Sequence, residues 1–418
     1  MRHLVIPAFR YASIFYGVVA VTISLILLLT LITGCTNVQA EQGALDDNEI
    51  SLPRLSEQLK ATARIHRIVS HPNGDLYFKG FNGVSVLSGN TSPVDVSFPD
   101  LNPPYGPNLS DIAVNSRTGL VYALDQYGHA IHIINKTRVI STLQDVTEQP
   151  RHVLVDEDSN EVYVFYTSTL LPTNRFRAVV LSGTDIITEI ILPFTPNATK
   201  YNAHDGHIYT AGRQNLPDDK HSNTLVVIDN HQIITTIQPL ESNPQLSVLD
   251  MTINPENGDI YVLLSGKVVY WDRVNPPKSA DFREAGYKNA ACIMVDPTRE
   301  LVYVCVWRED GYYVLVMTKE GLQTAIPVKK RPESIVRDGK HDYIYVGHYD
   351  PTRLSIIRET ELITTLEVHG FGTSDIFFDE ATDTIYTANV DDSSISIFRY
   401  PEEEEQSSWL NFLPFIGN

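Results

Sequence analysis

Basic charge is scarce in this chain. Its 418 residues carry 32 lysines and arginines against 51 aspartates and glutamates, a net charge of −19. A body that acidic repels phosphate backbones and anionic headgroups, which excludes nucleic acid as an expected partner. The only basic cluster is Lys329-Lys330-Arg331, a short run that reads as solvated. Cysteine is scarcer still, with three in the whole chain and no Cys-x-x-Cys spacing, so redox catalysis is not indicated. The chain also lacks Gly-x-Ser-x-Gly, His-Glu-x-x-His, a phosphate loop and a dinucleotide fingerprint. The Asx turns at Asp156-Glu157-Asp158 and Asp391-Asp392 have neither the glycine nor the distal glutamate of an EF-hand. No reaction is written in these motifs.

The front of the chain does carry a signal. Arg2 and Arg10 precede an uncharged run from Tyr11 to Gly34, and the run ends Leu31-Ile32-Thr33-Gly34-Cys35. A basic start, an apolar middle and small residues before a break describe an export signal over residues 1–34. Its last residues resemble a bacterial lipobox, which implies lipid attachment at Cys35. An uncleaved membrane anchor is the alternative, since about 20 apolar residues span a bilayer. Either reading puts the body outside the cytoplasm, tethered to the cell envelope, with the choice of membrane left open. Residues 35–48 are polar and read as a tether.

From residue 49 to residue 400 one phrase repeats. A tyrosine preceded by an aliphatic residue stands at 77, 122, 163, 209, 261, 303, 345 and 386. Seven residues earlier comes Asn115, Asp156, Asn202, Asn254, Asp296, Asp338 or Asp379, with Ser70 in the first copy. Short Asx side chains start tight turns by bonding the backbone two residues on, so these belong to hairpins and not to catalysis. Around them lie short β-branched runs such as Thr224-Leu225-Val226-Val227-Ile228 and Ile233-Ile234-Thr235-Thr236-Ile237. A period near 40 with several short strands per copy marks an all-β propeller.

The segment Asn254-Pro255-Glu256-Asn257-Gly258-Asp259-Ile260-Tyr261-Val262, with Ile385-Tyr386-Thr387-Ala388-Asn389 and Val226-Val227-Ile228-Asp229, resembles the YVTN family of β-propeller repeats. The resemblance covers about residues 65–400. It implies the fold, and for function only that such proteins are chiefly exported or displayed at surfaces. Three tryptophans are too few for the tryptophan-docked blades of quinone-dependent dehydrogenases. Eight copies give eight four-stranded blades, with seven as the alternative if the copy around Tyr77 packs outside the ring. The last copy stops after three strands, so an N-terminal strand must complete it, with Glu49-Ile50-Ser51-Leu52 as the candidate. Residues 401–418 form an acidic, then apolar tail too short to span a membrane.

Three sets of residues stand out. Eleven positions before the repeat tyrosine come His66, Asp111, His152, Asp250 and Asp375, which register places at one mouth of the central channel. Asp and His converging there could hold a divalent cation or a polar ligand, or could simply be a wetted rim. The connections between second and third strands, at residues 167–175, 212–223, 307–312 and 348–353, vary most, and Trp307, Arg308, His348, Tyr349 and Arg353 have the content of protein contacts. Cys292 and Cys305 fall opposite each other if the intervening turn spans residues 297–300, giving either a disulfide or two buried thiols.

These observations favour a monomeric, membrane-tethered, extracytoplasmic propeller that binds or scaffolds a protein or an envelope polymer. No cofactor is required, and catalysis is not the favoured reading. The alternative is a metal-assisted hydrolase or lactonase using the channel mouth.

Overall fold

The computed structural model describes residues 51–401, apart from 90, 100–105, 145–147, 168–175, 217–220, 239, 241–245, 350–352 and 368–371. The export signal with Cys35, the polar tether and the tail beyond Pro401 lie outside the described residues, as does the connection at 168–175. The chain divides into Met1–Leu52 and Pro53–Asn418, and of the first unit only Ser51 and Leu52 are described.

The described residues form eight four-stranded antiparallel sheets and no helix. Seven blades are consecutive in sequence, over residues 65–95, 109–144, 149–192, 195–237, 248–281, 289–328 and 332–367. The eighth takes Thr373–Asp379, Thr384–Asn389 and Ser394–Arg399 from the end of the domain and its outer strand, Arg54–Lys60, from the beginning. Each innermost strand touches the innermost strand of the next blade, and Thr373–Asp379 touches Ile65–Ser70, so the ring is closed. The copy around Tyr77 is a full blade, which settles the count at eight.

The closing strand is not Glu49–Leu52. Arg54–Lys60 looks too polar for a strand, but an outer strand has only one face to cover. Its exposure alternates residue by residue, and Leu59 packs on the core shared by blades 8 and 1. Ser56 Oγ donates to the Ile397 carbonyl at 3.0 Å, and Gln58 donates to Ser394 Oγ at 3.0 Å.

The apolar core is split into clusters, each shared by two adjacent blades. The repeat tyrosines sit in this packing, fully buried in six copies. In three copies the hydroxyl reaches across the blade boundary: Tyr77 to the Lys136 carbonyl at 3.1 Å, Tyr122 to Gly183 at 2.9 Å, Tyr303 to Glu359 at 2.9 Å. Each acceptor lies in the last hairpin of the following blade. In these three copies the tyrosine latches one blade to the next.

The Asx positions behave as their chemistry dictates. Asn115, Asp156, Asn202, Asn254, Asp296, Asp338 and Asp379 each accept the N–H two residues ahead, between 2.9 and 3.1 Å. Two connections read as variable loops are largely strand. Trp307 pairs with Tyr312 and Arg308 with Gly311, and pairing beyond Gly212 continues to Asn215 opposite His221.

Candidate functional site

Every innermost strand carries a β-bulge near its start, in the same place in all eight blades. A bulge leaves main-chain groups unpaired, and the register residues meet that need. Asp111 accepts the N–H of Ile112 at 2.9 Å and, across the blade boundary, that of Val153 at 3.0 Å. Asp375 accepts Ile376 N–H at 3.0 Å and Ile68 N–H of blade 1 at 2.9 Å. Asp250 accepts Met251 N–H at 2.7 Å and is also bonded by Ile293 N–H of blade 6.

Serine before aspartate adds a second point. Ser110 Oγ donates to the Pro150 carbonyl at 2.9 Å, and Ser374 Oγ donates to the Ile65 carbonyl at 3.3 Å. The Ser-Asp pair is thus a two-point staple between neighbouring blades. Burial raises the carboxyls of Asp250 and Asp375 above the ordinary aspartate value, with the N–H bonds opposing part of the shift.

One register residue is displaced. The first hairpin of blade 1 is a residue shorter than the others, so Tyr77 pairs with Val69, eight positions back, where Tyr122 pairs with Ala113, nine back. Arg67, not His66, therefore takes the place of Asp111 in the ring, and His66 is the bulged residue. Arg67 forms an ion pair with Asp111. Lys79 bridges the same two blades, donating to the carbonyls of Leu109 at 3.0 Å and Ser110 at 3.2 Å. Burial draws its ammonium down to about 8. Neither Arg67 nor Lys79 follows the repeat pattern, so sequence periodicity could not single them out.

His66 and His152 are both lowered to about 4, chiefly by burial. His152 Nδ1 lies 3.9 Å from Asp111, and its Nε2 is buried with no hydrogen-bond partner among the described residues. This donor set does not fit a divalent cation. The aspartate oxygens are turned onto main-chain N–H groups and Arg67 stands among them. Among the described residues no group of three or more His, Cys, Asp or Glu could hold a metal ion.

The contact residues also separate. His348 is fully buried inside blade 7. Its Nδ1 donates to the Lys330 carbonyl at 2.8 Å and its Nε2 accepts from Ser355 Oγ at 2.8 Å, with Thr365 next in line at 3.1 Å. Burial lowers it to about 4, so it is a neutral pin and not a docking residue. Tyr349 is exposed, and Arg353 pairs with Glu367 at 3.5 Å.

On blade 6 the side chains gather. Arg308 packs against the rings of both Tyr287 and Tyr313, 4.8 and 4.9 Å from their centres, and is held by Asp310. Arg331 covers Trp307 at 4.5 Å. Beside them a cleft of about 540 Å³ is lined by Gly286, Lys288, Asn289, Arg308, Glu309 and Asp310. Cys292 and Cys305, in the first two strands of this blade, form a disulfide with Cα atoms 5.1 Å apart. The Tyr287 and Arg331 contributions come from segments outside the hairpin, so the sequence of the hairpin alone did not reveal them.

No family model matches the chain, and no curated protein matches its sequence. Among solved structures it is similar to virginiamycin B lyase from Staphylococcus aureus, with TM-score 0.53 and 11% identity over 84% of this chain and 100% of that one. It is also similar to Kuenenia stuttgartiensis hydrazine synthase, with TM-score 0.51 and 12% identity over 82% of this chain and 97% of that one. At these identities the likeness is one of fold.

Proposed function

We propose that this propeller is a binding or scaffolding module, tethered to a membrane outside the cytoplasm through Cys35. Its partner is a protein or an envelope polymer that docks on the face carrying the connections between second and third strands. The observation that carries this reading is the blade 6 cluster. There an oriented guanidinium, two tyrosine rings meeting edge to face and a polar cleft come together on a rigid frame, the residue types enriched at protein interfaces. Of the five residues the hydrolase reading would use, Asp111, Asp250 and Asp375 are already engaged as staples between blades, which favours the binding reading.

In-cell photo-crosslinking from position 309 tests the partner face. A discrete adduct is expected that disappears with Glu309→Lys plus Asp310→Lys and persists with Lys278→Ala on an outer strand. An adduct pattern unchanged by the charge reversal would overturn the assignment of this face. Radiolabelled fatty acid tests the tether separately: label is expected on the wild-type protein and not on Cys35→Ser.

A further inference from the structure

The innermost strands surround the axis, and each is walled by its neighbours on either side. Away from the strand ends, their exposed side chains therefore open onto the channel. Among the described residues, every exposed ionisable group on these eight strands is basic: Arg67, Arg151 and Lys200, from blades 1, 3 and 4. The acids of the same strands are buried or half-buried and already engaged. Three staple blades, those at the strand ends close turns, and Glu333 pairs with Arg331 at 2.7 Å.

Lys200 interrupts a layer that is otherwise uncharged, where the other blades place Val69, Ala113, Leu154, Thr252, Met294, Val336 and Phe377. It forms no ion pair with the described residues. Arg67 keeps nearly half its side chain exposed although Asp111 holds one end. Arg67 and His152 share Asp111 as neighbour, Arg151 adjoins His152 in the chain, and Lys200 stands on the adjoining inner strand of blade 4, so the three cations face one sector of the channel with the Asp111 carboxylate among them.

We propose that the central channel is an anion site, in which Arg67, Arg151 and Lys200 hold a small multivalent oxyanion, a polycarboxylate or a phosphoryl compound. A body of net charge −19 repels such a ligand at long range, so cations confined to the channel give selectivity for ions small enough to enter it. The planar forks of two arginines suit carboxylate or phosphate oxygens, and Lys200 supplies a point charge. This site does not depend on the blade 6 surface, and either can fail alone.

Thermal unfolding of the full-length protein is followed against citrate and, separately, pyrophosphate, with sodium chloride at equal ionic strength as reference. At least one anion is expected to raise the melting temperature saturably. Lys200→Ala, an exposed position whose loss leaves the fold intact, and Arg151→Ala are each expected to weaken binding tenfold or more. A response to citrate alone assigns a polycarboxylate, and one to pyrophosphate alone assigns a phosphoryl ligand. A shift that follows ionic strength only, an affinity undiminished in both variants, or saturable stabilisation by calcium instead would overturn the proposal.

Discussion

Asp375 shows how little a residue type says about its use. A carboxylate at a channel mouth invites a functional reading, yet both of its oxygens accept main-chain N–H groups, one of them from the next blade. Asp375→Ala is expected to leave two buried donors unmatched and to cost about 1–3 kcal/mol, read by urea unfolding. Asp375→Asn, which keeps one acceptor, should cost less.

The histidines give a pH signature. His348 is lowered to about 4 in the folded protein, so between the ordinary value of 6.5 and about 4 the unfolded chain binds more protons. The stability contributed by neutral His348 is present above about 6.5 and is lost as pH falls through that window. His348→Gln should flatten this part of the stability profile relative to wild type. Asp250 and Asp375 act in the opposite sense, since their raised carboxyls favour the folded state below the ordinary aspartate range and lose that contribution as pH rises.

At the scale of the element, hairpins decide what each side chain reaches. The Cys292–Cys305 bridge follows from the turn after Asp296, because Ile293 pairs with Val304 and the same register carries one step further to the two cysteines. Closing a loop of this length removes about 3 kcal/mol of unfolded-chain entropy in the chain-entropy model. Cys292→Ser with Cys305→Ser is expected to lower stability by about 2–3 kcal/mol in urea. Added reductant should leave the native wild-type protein unchanged while the bridge stays buried.

The same sensitivity to turn length explains the position of His66. One residue fewer in the hairpin after Ser70 moves Arg67 into the ring and puts a cation where blades 2, 5 and 8 carry aspartate. Counting from the repeat tyrosine works only while the hairpin keeps its length. The turn with His71 and Gly74 carries no mark in the sequence of being short.

For the whole molecule, closure is what makes eight marginal sheets into one body. Each blade buries its faces only against neighbours, so a missing outer strand leaves Ser394–Arg399 as an open edge. A chain beginning at Ala61 is expected to melt well below the full domain and to self-associate, as seen by light scattering. A monomer with unchanged melting would mean that the N-terminal strand is ornamental.

Much of this architecture is written in the chain itself. The recurrence of tyrosine and Asx at fixed spacing determined the blades and their hairpin turns and narrowed their number to eight or seven, because local turn chemistry and alternation of burial act over a few residues. The use of the polar groups was decided only in three dimensions. Whether Asp111 binds a metal or a backbone depends on a main-chain N–H forty-two residues away, freed by a bulge that no side chain announces. Which strand closes the ring likewise rests on pairing between residues 54–60 and 394–399, at opposite ends of the domain. Short-range preference sets the pieces, and long-range hydrogen bonding sets what each piece is for.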